Sequence, residues 1–117
     1  MTRGEIWWVD FGLAYGSMTQ GRRPAIIVQN DNFNASRIMT TVVVPLTTNL
    51  ILADYKDNLL LEKSVTKLFK DSVALIPQVG SVGKSCLIEK VSKLSPAKML
   101  EISSALSDLL SIYYFGN

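Results

Sequence analysis

The chain has 117 residues, a formal net charge of +2 and 48% hydrophobic residues, which fits one domain with a modest core and permits an anionic partner without requiring one. It has no histidine and a single cysteine, Cys86. That excludes Ser-His-Asp and Cys-His nucleophilic sites, an internal disulfide and nearly every zinc cluster, so any catalysis must run on Arg, Lys, Asp, Glu, Tyr, Ser or Thr.

The lone cysteine fits a reducing cytoplasm. The N-terminus, Met1-Thr2-Arg3-Gly4-Glu5, reaches charge at once and carries no signal-peptide pattern. No window approaches the ~20 apolar residues of a membrane span. The surplus of apolar side chains in so small a chain points to a buried subunit interface.

In chain order, Glu5–Phe11 is rich in β-formers and predicts a first strand. Residues Gly12 to Gly21 form an opening loop, a candidate flap. Pro24 fixes its own φ and pushes Arg23 toward an extended conformation, so the loop-to-strand switch is expected at Arg23. A guanidinium there suits a phosphate, or is simply solvated. Ala25–Val28 is an unbroken apolar run, expected as a central strand covered on both faces. Asn30–Ser36 is dense in turn residues. Thr40–Leu46 is β-branched almost throughout and predicts a third strand. Pairing is expected to stop or bulge at Pro45, which leaves Thr47 and Thr48 at a strand end.

Asn49–Asp57 reads as a loop and Leu59–Leu61 as a short fourth strand. Thr66-Lys67-Leu68-Phe69-Lys70 reads as a solvated turn with Phe69 as its anchor rather than as a nucleic-acid patch. Ser72–Ile76 is a fifth strand stopped by Pro77, and Gln78–Val82 a sixth. In Leu87–Leu94 the apolar positions 87, 88, 91 and 94 fit helical spacing, yet the segment is short and is assigned as a strand. Ser95 then caps a helix with Pro96 at its first position, apolar residues from Met99 to Tyr113 at helical spacing, and Gly116 as its end. The whole predicts several short strands closed by one helix, a partly open barrel or twisted sheet. Gly83-Lys84-Ser85 imitates the end of a phosphate-binding loop, but Gln78 stands where the pattern needs glycine. Asp54, Asp57 and Glu62 lack a metal-loop pattern.

Three ordered segments resemble the MazF/PemK family of bacterial toxins: Arg3–Phe11; Gly16-Ser17 with Gly21-x-Arg23-Pro24 leading to Gln29-Asn30-Asp31; and Val44-Pro45-Leu46-Thr47-Thr48. Asp71-Ser72-Val73 with Gln78 is a weaker fourth. The resemblance covers nearly the whole chain. It implies a mainly β, α+β fold, an SH3-like small barrel of about six or seven short strands with a C-terminal helix, in one domain over 1–117. It implies a homodimeric endoribonuclease without metal or other cofactor, cutting single-stranded RNA, chiefly mRNA, to a 2′,3′-cyclic phosphate and a 5′-hydroxyl. A cognate, acidic, MazE-like antitoxin is implied, with DNA reached only through that complex.

By motif match Arg23 and Thr47 take the family's catalytic positions, and Ser17 and Gln78 positions of the substrate groove. Gln20, Arg22, Thr48 and Lys70 are further candidates for substrate binding. Met18 and Pro77 stand where many relatives are acidic, so a carboxylate's role at those places does not transfer. Trp8, Tyr15, Phe33 and Phe69 are candidate stacking partners for unpaired bases, Tyr15 foremost, though core packing explains each equally well. The competing reading is a non-catalytic toxin like the fold relative CcdB, which binds DNA gyrase; the Arg23-Pro24 and Thr47 pair argues for the nuclease.

Overall fold

Strand β2 (Arg22–Ile27) lies at the centre of the molecule, between β1 (Glu5–Asp10) and β3 (Thr40–Thr47). The computed structural model describes residues 1–12 and 21–112. Within them β4 (Leu59–Leu61), β5 (Ser72–Ala74), β6 (Gly80–Gly83) and β7 (Leu87–Lys93) complete a seven-stranded antiparallel sheet. Its order is β4-β5-β3-β2-β1-β7, with β6 paired to β3. Two single-turn helices, α1 (Asp31–Asn34) and α2 (Lys63–Thr66), and a closing helix, α3 (Pro96–Leu109), complete the expected mainly-β α+β fold.

Successive strand residues point to opposite faces, and the apolar run of β2 uses both. Ile26 lies opposite Ile6 and Val44, and with them joins a core that includes Leu46, Leu61, Met99 and Ile102. Its neighbours Ala25 and Ile27 pack with Val9 and Val43 on the other face. All of these are buried, as expected for a strand covered on both sides.

β2 begins at Arg22, one residue before the expected switch. Gly12 and Gly21 bracket the β1–β2 connection with φ of +71° and +68°, values that favour glycine. They face each other through Gly21 N–H donating to Gly12 O at 2.8 Å. The segment between them, with the proposed flap, lies outside the described residues.

Pairing does not stop at Pro45. Instead β3 changes partner there: β2 and β6 hold it up to Pro45, and β5 takes Leu46 and Thr47. A residue without an N–H is tolerated at that changeover. Pro77 acts similarly. It sits in a 3₁₀ turn, Ile76–Gln78, so β5 ends at Ala74 and β6 starts at Gly80.

Leu87–Lys93 is a strand. Its register against β1 runs Ile6↔Ser92, Trp7↔Lys90, Trp8↔Glu89, Val9↔Leu87, skipping Val91 and Ile88. These two bulged residues break the two-residue alternation, which is why the apolar positions imitate a helix. α3 starts as expected, with Ser95 Oγ accepting from Lys98 N–H at 3.2 Å. It ends at Leu109, well before Gly116. Ser111 takes φ +54°, and the N–H groups of Ser111 and Ile112 return to Asp108 O and Ser107 O. That is the paired closure of a helix end, with serine where glycine is usual. Tyr113 and Gly116 lie outside the described residues. Among the described residues no helix is long and apolar enough to cross a membrane.

Candidate functional site

The inner face of the sheet runs on from the core to the edge of a cleft, with buried Leu46 belonging to both. One pleat step beyond Ile6, Ile26 and Val44 stand Trp8, Pro24 and Leu46, with Trp8 opposite Pro24. α3 covers the first row, and the second opens into a cleft of about 510 Å³. Bulged Val91 and, from the turn after α2, Leu68 complete an apolar floor. Trp8 keeps 37% of its surface exposed.

Four cations line this cleft: Arg22, Arg23, Lys67 and Lys70. No Asp or Glu lines it among the described residues. Cations above a low-dielectric floor sum to a field that attracts an anion. Thr47, Thr48 and Ser72 add hydroxyls.

Arg23 and Thr47 both line this cleft, from the start of β2 and the end of β3. β2 and β3 pair as Ile27↔Val43, Ile26↔Val44 and Ala25↔Pro45. That ladder ends two residues short of Arg23 and Thr47: beyond Pro45, Thr47 pairs with Val73 of β5. Both are half-buried near strand ends; Leu46, next to Thr47, is buried, and Ala25, two residues on from Arg23, is fully buried. The Thr47 hydroxyl accepts from the Asn49 N–H at 3.2 Å. Its oxygen is therefore oriented by the backbone, and its one hydrogen remains for donation.

Of the residues proposed from sequence, Arg22, Arg23, Thr47, Thr48 and Lys70 line one cleft. Gln78 does not; it is exposed in the turn Ile76–Gln78. Ser17 and Gln20 lie outside the described residues, as do Tyr15 and Met18. Among the aromatics, Trp8 and Phe69 line the cleft, whereas Phe33 is exposed on α1.

The reading of Phe69 as an anchor is corrected: it is 98% exposed, and Leu68 packs against the core in its place. The reason lies in the turn itself. Thr66 is fully buried, its hydroxyl accepts from Leu68 N–H, and its carbonyl accepts from Ser92 Oγ on β7. That tie turns Leu68 inward and its successor outward. Lys67, Leu68, Ser72 and Val91 were missed as site residues. The two lysines around an aromatic were the available signal.

No group of three or more Cys, Asp or Glu among the described residues is placed to hold a metal ion. The carboxyls with shifted titration lie elsewhere. Burial pushes Glu5 up, but hydrogen bonds from Trp7 Nε1, the Thr2 N–H and hydroxyl, and Lys90 outweigh it and hold the carboxyl at about 2. Asp57 is raised by its hydrogen bond with Asp108.

Comparison with known proteins adds to this geometry. The model of a family described as PemK-like, MazF-like toxin of type II toxin–antitoxin system matches residues 2–110. The chain is 35% identical over 113 residues to an endoribonuclease MazF of Staphylococcus saprophyticus, covering 97% of this chain and 93% of that one. A crystal structure of MazF (Form-I) from Deinococcus radiodurans superposes with a TM-score of 0.80 at 20% identity, covering 96% of this chain and 97% of the other. An endoribonuclease in complex with its cognate antitoxin from Mycobacterial species gives 0.74 at 24% identity, covering 97% and 96%. At these identities the two structures speak for the fold.

Proposed function

This chain belongs to the PemK-like, MazF-like toxins of type II toxin–antitoxin systems, and we propose that it is a cytoplasmic, metal-independent endoribonuclease that cuts single-stranded RNA at the Arg23–Thr47 cleft. The observation that carries this reading is that Arg23 and Thr47 line one cleft with four cations and, among the described residues, no acidic side chain.

RNA brings its own nucleophile. The 2′-oxygen attacks phosphorus and forms the cyclic phosphate while the P–O5′ bond breaks. The 2′ proton passes to solvent and the 5′-oxygen takes one up. The protein has to align these atoms and stabilise the charge that builds on the non-bridging oxygens. A guanidinium grips two of those oxygens at once and stays charged, so Arg23 acts as a clamp rather than as a base. The Thr47 hydroxyl donates its remaining hydrogen to the same phosphate. Arg22, Lys67, Lys70 and Thr48 hold the flanking backbone. DNA lacks the 2′-hydroxyl and is not cut.

The same reading places a homodimer in the cell, opposed by an acidic antitoxin whose charge suits this cleft, with DNA met only through that complex. The whole chain serves as one domain.

The test is incubation of purified protein with a long RNA in EDTA, followed by mapping of the new 5′ ends. Cleavage with 5′-hydroxyl ends, lost in Arg23→Ala, is the expected result. Intact RNA with the wild-type chain overturns the nuclease and favours a toxin that acts by binding alone. Near-native cleavage by Arg23→Ala overturns the assignment of the clamp.

A further inference from the structure

The loop from α2 to β5 is built to present one side chain. Its far end is tied back to the start of α2 by the Lys63 N–H donating to Asp71 Oδ1 at 2.8 Å. Its base is fixed by buried Thr66, which holds Leu68 N–H through its hydroxyl and Ser92 through its carbonyl. Lys67 sits at φ +66°, and its ammonium donates to Ser64 O at 2.8 Å. Leu68 is packed on the core. Phe69, one residue on, is 98% exposed and lines the cationic cleft between Lys67, Lys70 and the arginines of β2.

The ring takes no part in the core, and its place in the lining of the four-cation cleft is what points to a partner. Cations on either side call for an anionic chain, and a π-face is a platform for an unpaired base. We propose that Phe69 stacks on an unpaired base of the RNA next to the scissile phosphate, while Lys67 and Lys70 meet the backbone on either side of that base. This rests on the nuclease reading of the cleft. Because the loop is tied before RNA arrives, little ordering cost opposes the contact. Stacking of this kind tolerates any base, so Phe69 contributes affinity and placement rather than sequence choice.

The experiment uses the intact protein and labelled, random-sequence 2′-O-methyl 12-mers, which cannot be cut because their 2′-oxygen carries no proton. Binding is read by fluorescence anisotropy, so it does not depend on cleavage. Phe69→Ala should bind roughly 5- to 150-fold more weakly, the equivalent of the ~1–3 kcal/mol that a base–aromatic stack supplies. Phe69→Trp should bind as tightly as the wild type, and its added indole should be quenched by RNA. Thermal midpoints should be unchanged, since the ring supports no core contact. Affinity of Phe69→Ala within twofold of wild type overturns the proposal. So does an unchanged RNA affinity with weakened binding of an acidic peptide, which would make Phe69 a protein anchor. Loss of cleavage in the long-RNA assay despite tight 12-mer binding would instead strike at the nuclease reading.

Discussion

At Thr47 the hydroxyl oxygen is already engaged by the Asn49 N–H, so what it offers a substrate is one hydrogen. Thr47→Val keeps the shape and removes that donor. Single-turnover cleavage should fall by ~10²–10³, the cost of losing one preorganised donor to a developing charge. Thr47→Ser should stay within about tenfold. Arg23→Lys is not conservative here, because an ammonium cannot span two phosphate oxygens; its single-turnover rate should lie closer to Arg23→Ala than to wild type. A second residue-scale consequence concerns Glu5, buried yet held ionised down to about 2 against an ordinary 4.5. A depressed carboxylate contributes its stability above its unfolded value, and loses it as pH falls through 4.5 toward 2. The difference amounts to about 3 kcal/mol. Urea midpoints taken between pH 7 and 2 should show this loss, and Glu5→Gln should both lower the midpoint at pH 7 and flatten the acid limb.

At the scale of elements, the local signals were the legible ones. Ser95-Pro96 marked the start of α3, the β-branched run Thr40–Leu46 marked β3, and Ala25–Val28 marked a strand covered on both sides, of which Ala25–Ile27 are the fully buried part. Each rests on neighbours within a few residues. What escaped was set at longer range. The two bulges of β7 exist only against β1, and the exposure of Phe69 depends on Thr66 meeting Ser92, 26 residues away. That Arg23 and Thr47 share one cleft with Lys67 and Lys70 depends on how β2, β3 and the turn after α2 pack, which the motifs themselves do not state. The end of α3 escaped because Ser111 adopts φ +54° without being glycine. That gives a prediction in two directions. Ser95→Ala should lower the stability of the fold by about 1 kcal/mol through loss of the cap. Ser111→Gly should raise it by about 0.5–1 kcal/mol by removing the strain of a side chain in the left-handed region. Thermal melts of the two variants, with far-UV circular dichroism to confirm the helix, check both.

For the molecule as a whole, the apolar fraction of 48% has to be reconciled with a small interior. The Cα radius of gyration is 13.7 Å, close to the ~13 Å expected of a collapsed chain this long. Further folding of the described residues therefore offers little additional burial. Yet Met39, Ile51, Tyr55, Leu100 and Ile112, apart from Phe69 in the cleft, each remain more than 60% exposed. A second copy of the chain, as proposed above, would cover such side chains at no cost in new sequence. The expected mass by light scattering at micromolar concentration is twice the 12.9 kDa of one chain. If the interface is apolar, as these residues require, the mass should hold when ionic strength is raised from 0.1 to 1 M, conditions that shorten the screening length from ~10 to ~3 Å and weaken exposed charge pairs. RNA binding at the cationic cleft should weaken steeply over the same range. A monomeric mass at low salt counts against the dimer, and a dimer that dissociates with salt counts against an apolar seam.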